Sequence, residues 1–143
     1  MGYADLHIHS IHSYDGTASV QAILKHTADK TDLDVIAITD HNTMDGVQLA
    51  LDLAPKYGLQ VIPGCEVSTA EGHLLTLFVD HPVQPRLSII ETIEQVREMG
   101  GLCIAAHPAA RGTHSLPFQT ILDLVKLRDL ANTFVGVEMY NGG

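Results

Sequence analysis

A chain of 143 residues, 45% apolar and 17% charged, has the length of one domain and the composition of a folded protein with a substantial core. Eight Lys and Arg against 17 Asp and Glu leave a formal net charge of −9. That excludes broad electrostatic capture of nucleic acid or of an anionic membrane, so an anionic substrate would need bound cations to attract it. No run approaches the roughly 20 apolar residues of a membrane span and no leader-like segment opens the chain, which reads as cytoplasmic.

In chain order, the apolar spacing predicts a strand over Ala4–His9 and a helix over Val20–Lys30 capped by Ser19. A strand over Asp34–Asp40 follows, then a helix over Met44–Tyr57 capped by Thr43 and stopped by Gly58. Next come strands over Gln60–Val67 and His73–Val79, a helix over Arg86–Met99, a strand over Leu102–Ala106, a helix over Phe118–Leu130 and a last strand over Phe134–Tyr140. Alternation of this kind points to βαβ units in a parallel sheet or barrel. Between Val67 and His73 the link is too short for a crossover and fits a hairpin, so the strand starting at His73 should run antiparallel. Cys65 and Cys103 sit in separate strand-like runs and read as buried free thiols.

Polar residues collect at the strand ends. On the first strand Asp5, His7 and His9 face one way and Leu6 and Ile8 the other, so two imidazoles at i and i+2 can grip one ion. The second strand ends in Thr39-Asp40-His41, the third in Gly64-Cys65-Glu66, the fifth in His107-Pro108, and the sixth carries Glu138. Strand ends are where α/β architectures build active sites. The set His7, His9, Asp15, His41, Glu66, His73 and His107 exceeds the capacity of one tetrahedral centre, so two or three divalent ions (Zn, Mn or Fe) are expected, with a metal-bound hydroxide as nucleophile.

The stretches DLHIHS (5–10), ITDHNT (38–43), PGCEVS (63–68), GHLL (72–75), AHP (106–108) and VEMYN (137–141) resemble, in this order, the motifs of the PHP (polymerase and histidinol phosphatase) family. The resemblance implies a distorted (β/α)7 barrel and metal-dependent phosphoester hydrolysis. It implies a first ion on His7, His9 and Glu66, a second on Glu66, His73 and His107, and a third on Asp15 and His41; His7, His9, Glu66 and His107 would act in catalysis through the bound hydroxide. The Asp15-Gly16 spacing is similar to the branch that hydrolyses small phosphoesters and nucleotides. Family members usually continue to a last strand ending in Asp-x-His, which does not occur in this sequence. The expected fold is therefore a PHP-type barrel whose last strand is absent. A C-terminally truncated single domain, a natural short variant working with two ions, and a site completed by a partner or symmetry mate all fit that absence. An open barrel leaves an unpaired edge that favours association with another chain, a second copy included.

Arg111 and His114 follow the AHP motif in a loop expected to overhang the site and contact substrate, and Asp40 is expected to orient a ligand histidine from behind. His12 and His26 read as solvent-facing. His81 would replace His73 if the hairpin were absent. The expected function is hydrolysis of a small phosphomonoester or nucleotide. The alternatives are an exonuclease acting on oligonucleotide ends, disfavoured by the acidic balance and the lack of Trp, and a metal-binding regulatory module without turnover.

Overall fold

The computed structural model describes residues 2–108, 110 and 114–140. Its elements are β1 (Ala4–Ile8), α1 (Val20–Lys30), β2 (Val35–Ile38), α2 (Val47–Leu53), β3 (Gln60–Ser68), β4 (His73–Leu77), α3 (Ile89–Glu98), β5 (Leu102–Ala105), α4 (Phe118–Leu124) and β6 (Phe134–Val137). All six strands join one sheet in the order β1-β2-β3-β4-β5-β6. The first three are mutually parallel, β4 is antiparallel to both its neighbours, and β6 is parallel to β5. Five strands therefore point their C-terminal ends the same way, and β4 brings its N-terminal residue, His73, to that same end.

The sheet is curled, because its two outer strands meet across the concave face. His7 Nδ1 of β1 lies 3.0 Å from Glu138 Oε1, one residue past β6. The result is an open half-barrel, as expected for a barrel without its last strand. Alternation along each strand sorts the residues between the two faces. Ile36 and Ile38 of β2 pack beneath α1 and α2 with Val20, Leu24 and Val47. Cys65 and Val67 of β3, Leu74 of β4 and Cys103 and Ala105 of β5 pack beneath α3 and α4 with Ile93, Val96 and Ile121. The intervening positions, His7 and Glu66 among them, face inward. Both cysteines are free and buried, and burial pushes the Cys65 thiol up to about 12.

Several boundaries are tighter than the sequence implies. Thr43 does not cap α2; its hydroxyl accepts from the Asp45 amide, and α2 starts four residues later behind Gly46. Pro55, which has no amide hydrogen to donate, converts the end of that helix into a 3-10 turn over Ala54–Tyr57 closed by Gly58. The helix before β5 starts at Ile89, where Ser88 and Glu91 form a reciprocal capping box. The strand β4 stops at Leu77, because Phe78 takes a φ of 59°. The predicted hairpin is present, with Ser68 opposite His73 and Glu66 opposite Leu75. Among the described residues no helix is long and apolar enough to cross a membrane.

Ile93, fully buried between α3 and the sheet, is far in sequence from every site residue. Ile93→Ala should cost about 2–5 kcal/mol in urea unfolding while leaving divalent-ion binding by the folded fraction unchanged.

Candidate metal centre

At the end of the half-barrel where the parallel strands terminate, a cavity of about 1230 Å³ is lined by His7, His9, His41, Glu66, His73 and His107, with Tyr14, Asp15 and His114 at its rim. Glu66 is its centre, with no exposed side-chain surface. The backbone at Glu66 is clamped by the segment after β2: its amide donates to the Asp40 carbonyl (3.1 Å) and its carbonyl accepts from the Asn42 amide (2.9 Å).

Five imidazoles converge on the Glu66 carboxylate. His7 Nε2, His9 Nε2 and His41 Nε2 lie 3.0, 2.8 and 3.3 Å from Oε2. His73 Nδ1 and His107 Nε2 lie 2.9 and 3.0 Å from Oε1. In three of the rings the other nitrogen already has an acceptor. His7 Nδ1 faces Glu138 Oε1 at 3.0 Å, His9 Nδ1 faces Asp15 Oδ1 at 2.9 Å, and His107 Nδ1 faces Ser115 Oγ at 2.9 Å, whose own hydroxyl donates to the His107 carbonyl. With Nδ1 donating, each neutral ring turns the lone pair of Nε2 toward the oxygens of Glu66. A cation held among these nitrogens and oxygens would satisfy such lone pairs, whereas protons on all five rings would place like charges within ring-contact distance.

His73 Nδ1, although 2.9 Å from Glu66, makes no hydrogen bond, and neither does the buried His41 Nδ1. The donor atoms fall into three sets that a metal ion could bridge: His7, His9 and Glu66; His9, Asp15 and His41; and His41, Glu66 and His73. The chemistry of these donors, imidazole with carboxylate, fits Zn, Mn or Fe.

The electrostatics follow from this packing. Burial opposes charge on Glu66, but the His7, His73 and His9 rings packed against it outweigh burial and hold the carboxyl far below its usual range. Burial likewise pulls His7 down, yet Glu138 and Glu66 together leave it pushed up to about 9. His41 is lowered, chiefly by burial. Burial works against charge on Asp15, which is nonetheless lowered by the Ser13 hydroxyl and by His9 and His41.

The loop between β1 and α1 folds back so that Asp15 can meet His9. A Cβ at Gly16 would sit 1.8 Å from the Ser10 carbonyl oxygen, so only glycine permits this return. The side-chain hydrogen bonds of Asp40, expected to orient a ligand histidine, go to Ser10 among the described residues. Its buried carboxylate accepts from the Ser10 amide (2.5 Å) and hydroxyl (2.7 Å) and so pins the loop that follows β1. His114 lies at the rim, its ring 5.5 Å from that of His73. Arg111, the other substrate-contact candidate, lies outside the described residues. His12 and His26 are exposed, and His81 is exposed and paired with Asp80 rather than turned into the cavity.

Two site residues carried no role in the sequence reading. Tyr14 stacks on His41 (4.6 Å, 16°) with its hydroxyl 3.2 Å from His41 Nε2, and an aromatic next to Asp15 was the available signal. Glu138 was visible as a strand-end carboxylate, but its partners lie 131 and 31 residues away.

Residues 5–127 match the PHP domain model. Uncharacterized protein MJ1587 of Methanocaldococcus jannaschii is 40% identical over 115 residues, 73% of this chain and 67% of that protein. A 3′,5′-nucleoside bisphosphate phosphatase of Chromobacterium violaceum is 33% identical over 116 residues, 74% of this chain and 40% of its own. The crystal structure of a two-domain protein of Bacteroides vulgatus, containing a predicted PHP-like metal-dependent phosphoesterase, shares the fold. Its TM-score is 0.73 at 19% identity, over 94% of this chain and 43% of that one. The chain thus spans less than half the length of the last two proteins.

The raised His7 gives a pH signature in metal-free protein. A group held at about 9 against an ordinary 6.5 stabilises the fold fully below pH 6.5 and loses that contribution as pH rises through about 9. Chelator-treated protein should therefore lose Tm across this window, and His7→Gln should flatten the slope. Added Mn²⁺ or Zn²⁺, which needs deprotonated rings, should raise Tm more as pH increases. Equal slopes in wild type and His7→Gln would contradict the assignment.

Proposed function

The chain belongs to the PHP domain family, and on that footing we propose that it hydrolyses phosphoester bonds of a small phosphomonoester or nucleotide with two or three divalent ions. The observation that carries the reading is the ring of five imidazole nitrogens within 3.3 Å of one fully buried carboxylate. His7, His9 and Glu66 would hold one ion. Glu66 would be shared with a second ion held by His73 and His107, and Asp15, His41 and His9 would flank a third. The geometry supports His9 and His41 in more than one set, a sharing that the spacing of the sequence does not reveal.

Bound ions of this kind lower the pKa of water and neutralise charge on phosphoryl oxygens. The protein's own contribution is placement. Glu66 stays anionic throughout the working pH range, Ser115 holds His107 in its ring orientation, and Ser13 and His9 hold Asp15. At the rim, His114 and the Tyr14 hydroxyl would contact the substrate. The similarity to a nucleoside bisphosphate phosphatase supports a nucleotide-sized substrate, and the cavity accommodates one. With cations in the site, the overall negative charge no longer opposes an anionic substrate.

Protein loaded with Mn²⁺ or Zn²⁺ should release phosphate from an aryl phosphate or a mononucleotide, and His9→Ala should fall to the background of chelated protein. Ions bound at normal stoichiometry without turnover on any phosphoester would instead support the regulatory module, and shortening of oligonucleotides without release from mononucleotides the exonuclease. A second variant probes ring orientation. Ser115→Ala frees the His107 ring and should lower metal affinity or activity about 10–100-fold, measured by titration against a chromophoric chelator.

A further inference from the structure

We propose that Glu138 is the positioning residue of this centre, fixing one metal-facing histidine through its ring and another through its backbone. Its Oε1 lies 3.0 Å from His7 Nδ1, and its Oε2 accepts from the His107 amide at 2.6 Å. The carboxylate is largely buried, with 13% of its side chain exposed, and its own amide donates to the Ala105 carbonyl in continuation of the β5–β6 pairing.

Both contacts act on what reaches the centre. The first sets the His7 tautomer: a proton on Nδ1 is held by Glu138, and Nε2 is left to face Glu66 at 3.0 Å. Such a carboxylate also raises the basicity of the ring it holds. The second contact secures a strained backbone. His107 has a φ of 28°, which a residue with a Cβ adopts only when its surroundings enforce it. Glu138 takes its amide, and Ser115 takes its carbonyl and its ring. Because β1 and β6 are opposite edges of the sheet, the same carboxylate also ties the two ends of the half-barrel across the site.

This proposal rests on the reading that His7 and His107 hold ions. It is tested on metal-stripped wild type and Glu138→Gln, titrated with Co²⁺ against a chromophoric chelator, with the visible spectrum of bound Co²⁺ recorded. Glu138→Gln should bind about 10–100-fold more weakly with a displaced spectrum, because one amide oxygen cannot serve both partners as a carboxylate does. Wild-type affinity and an unchanged spectrum in the variant would overturn the proposal. Wild type that binds no Co²⁺ would instead overturn the metal reading itself. If Glu138→Gln fails to fold, ring-nitrogen NMR of the Zn²⁺-loaded wild type decides, because a ring that holds an ion keeps a single proton. A His7 protonated at Nδ1 supports the assignment, and one protonated at Nε2 refutes it.

Discussion

Five imidazole nitrogens approach the two oxygens of Glu66 within 3.3 Å, while a carboxylate offers only about four lone-pair directions. A buried charge in that position is stable only when positive charge surrounds it, which a protonated His7 supplies in the metal-free protein and divalent cations would supply among the same donors. Nearly everything else at this end of the half-barrel holds one of those rings at its angle or holds Glu66 in place.

The reversal of β4 is part of that requirement. A parallel strand at this position would put its first residue at the far end of the sheet, away from Glu66. The antiparallel hairpin instead brings His73 level with Ser68, two residues beyond Glu66 on the neighbouring strand. The turn before it is packed against residues 114–116. Gly72 has a φ of 154°, and a Cβ there would sit 2.7 Å from the Leu116 amide nitrogen. The His73 amide donates to the His114 carbonyl at 2.6 Å. A rim residue is thereby coupled to the strand that supplies a donor.

The supporting shell is built from short polar links rather than from bulk packing. Asp40 holds Ser10, Ser13 and His9 hold Asp15, Ser115 holds His107, and Glu138 spans the edge strands. The Asp40–Ser10 and Glu138–His7 links join separate parts of the sheet, and the second closes only because the sheet is curled. The two apolar clusters pack the helices against the face opposite the site.

The local code of the chain determined a good deal by itself. The alternation in Leu6-His7-Ile8-His9, the strand-end placement of His41, Glu66 and His107, and the short link before His73 follow from the period of a strand and the reach of a turn. These rules act over a few residues, and they marked the hairpin and the gathering of His and Glu side chains at one end of the strands. Helix ends were less legible, since Pro55 and the capping box at Ser88 override the apolar period that extends past them. What only the tertiary structure decided is that the Asp40 carboxylate bonds Ser10 and that Glu138 reaches both His7 and His107. Those relations join residues 30 to 131 positions apart, and hydrogen bonds formed by sheet curvature leave no period in the sequence to read.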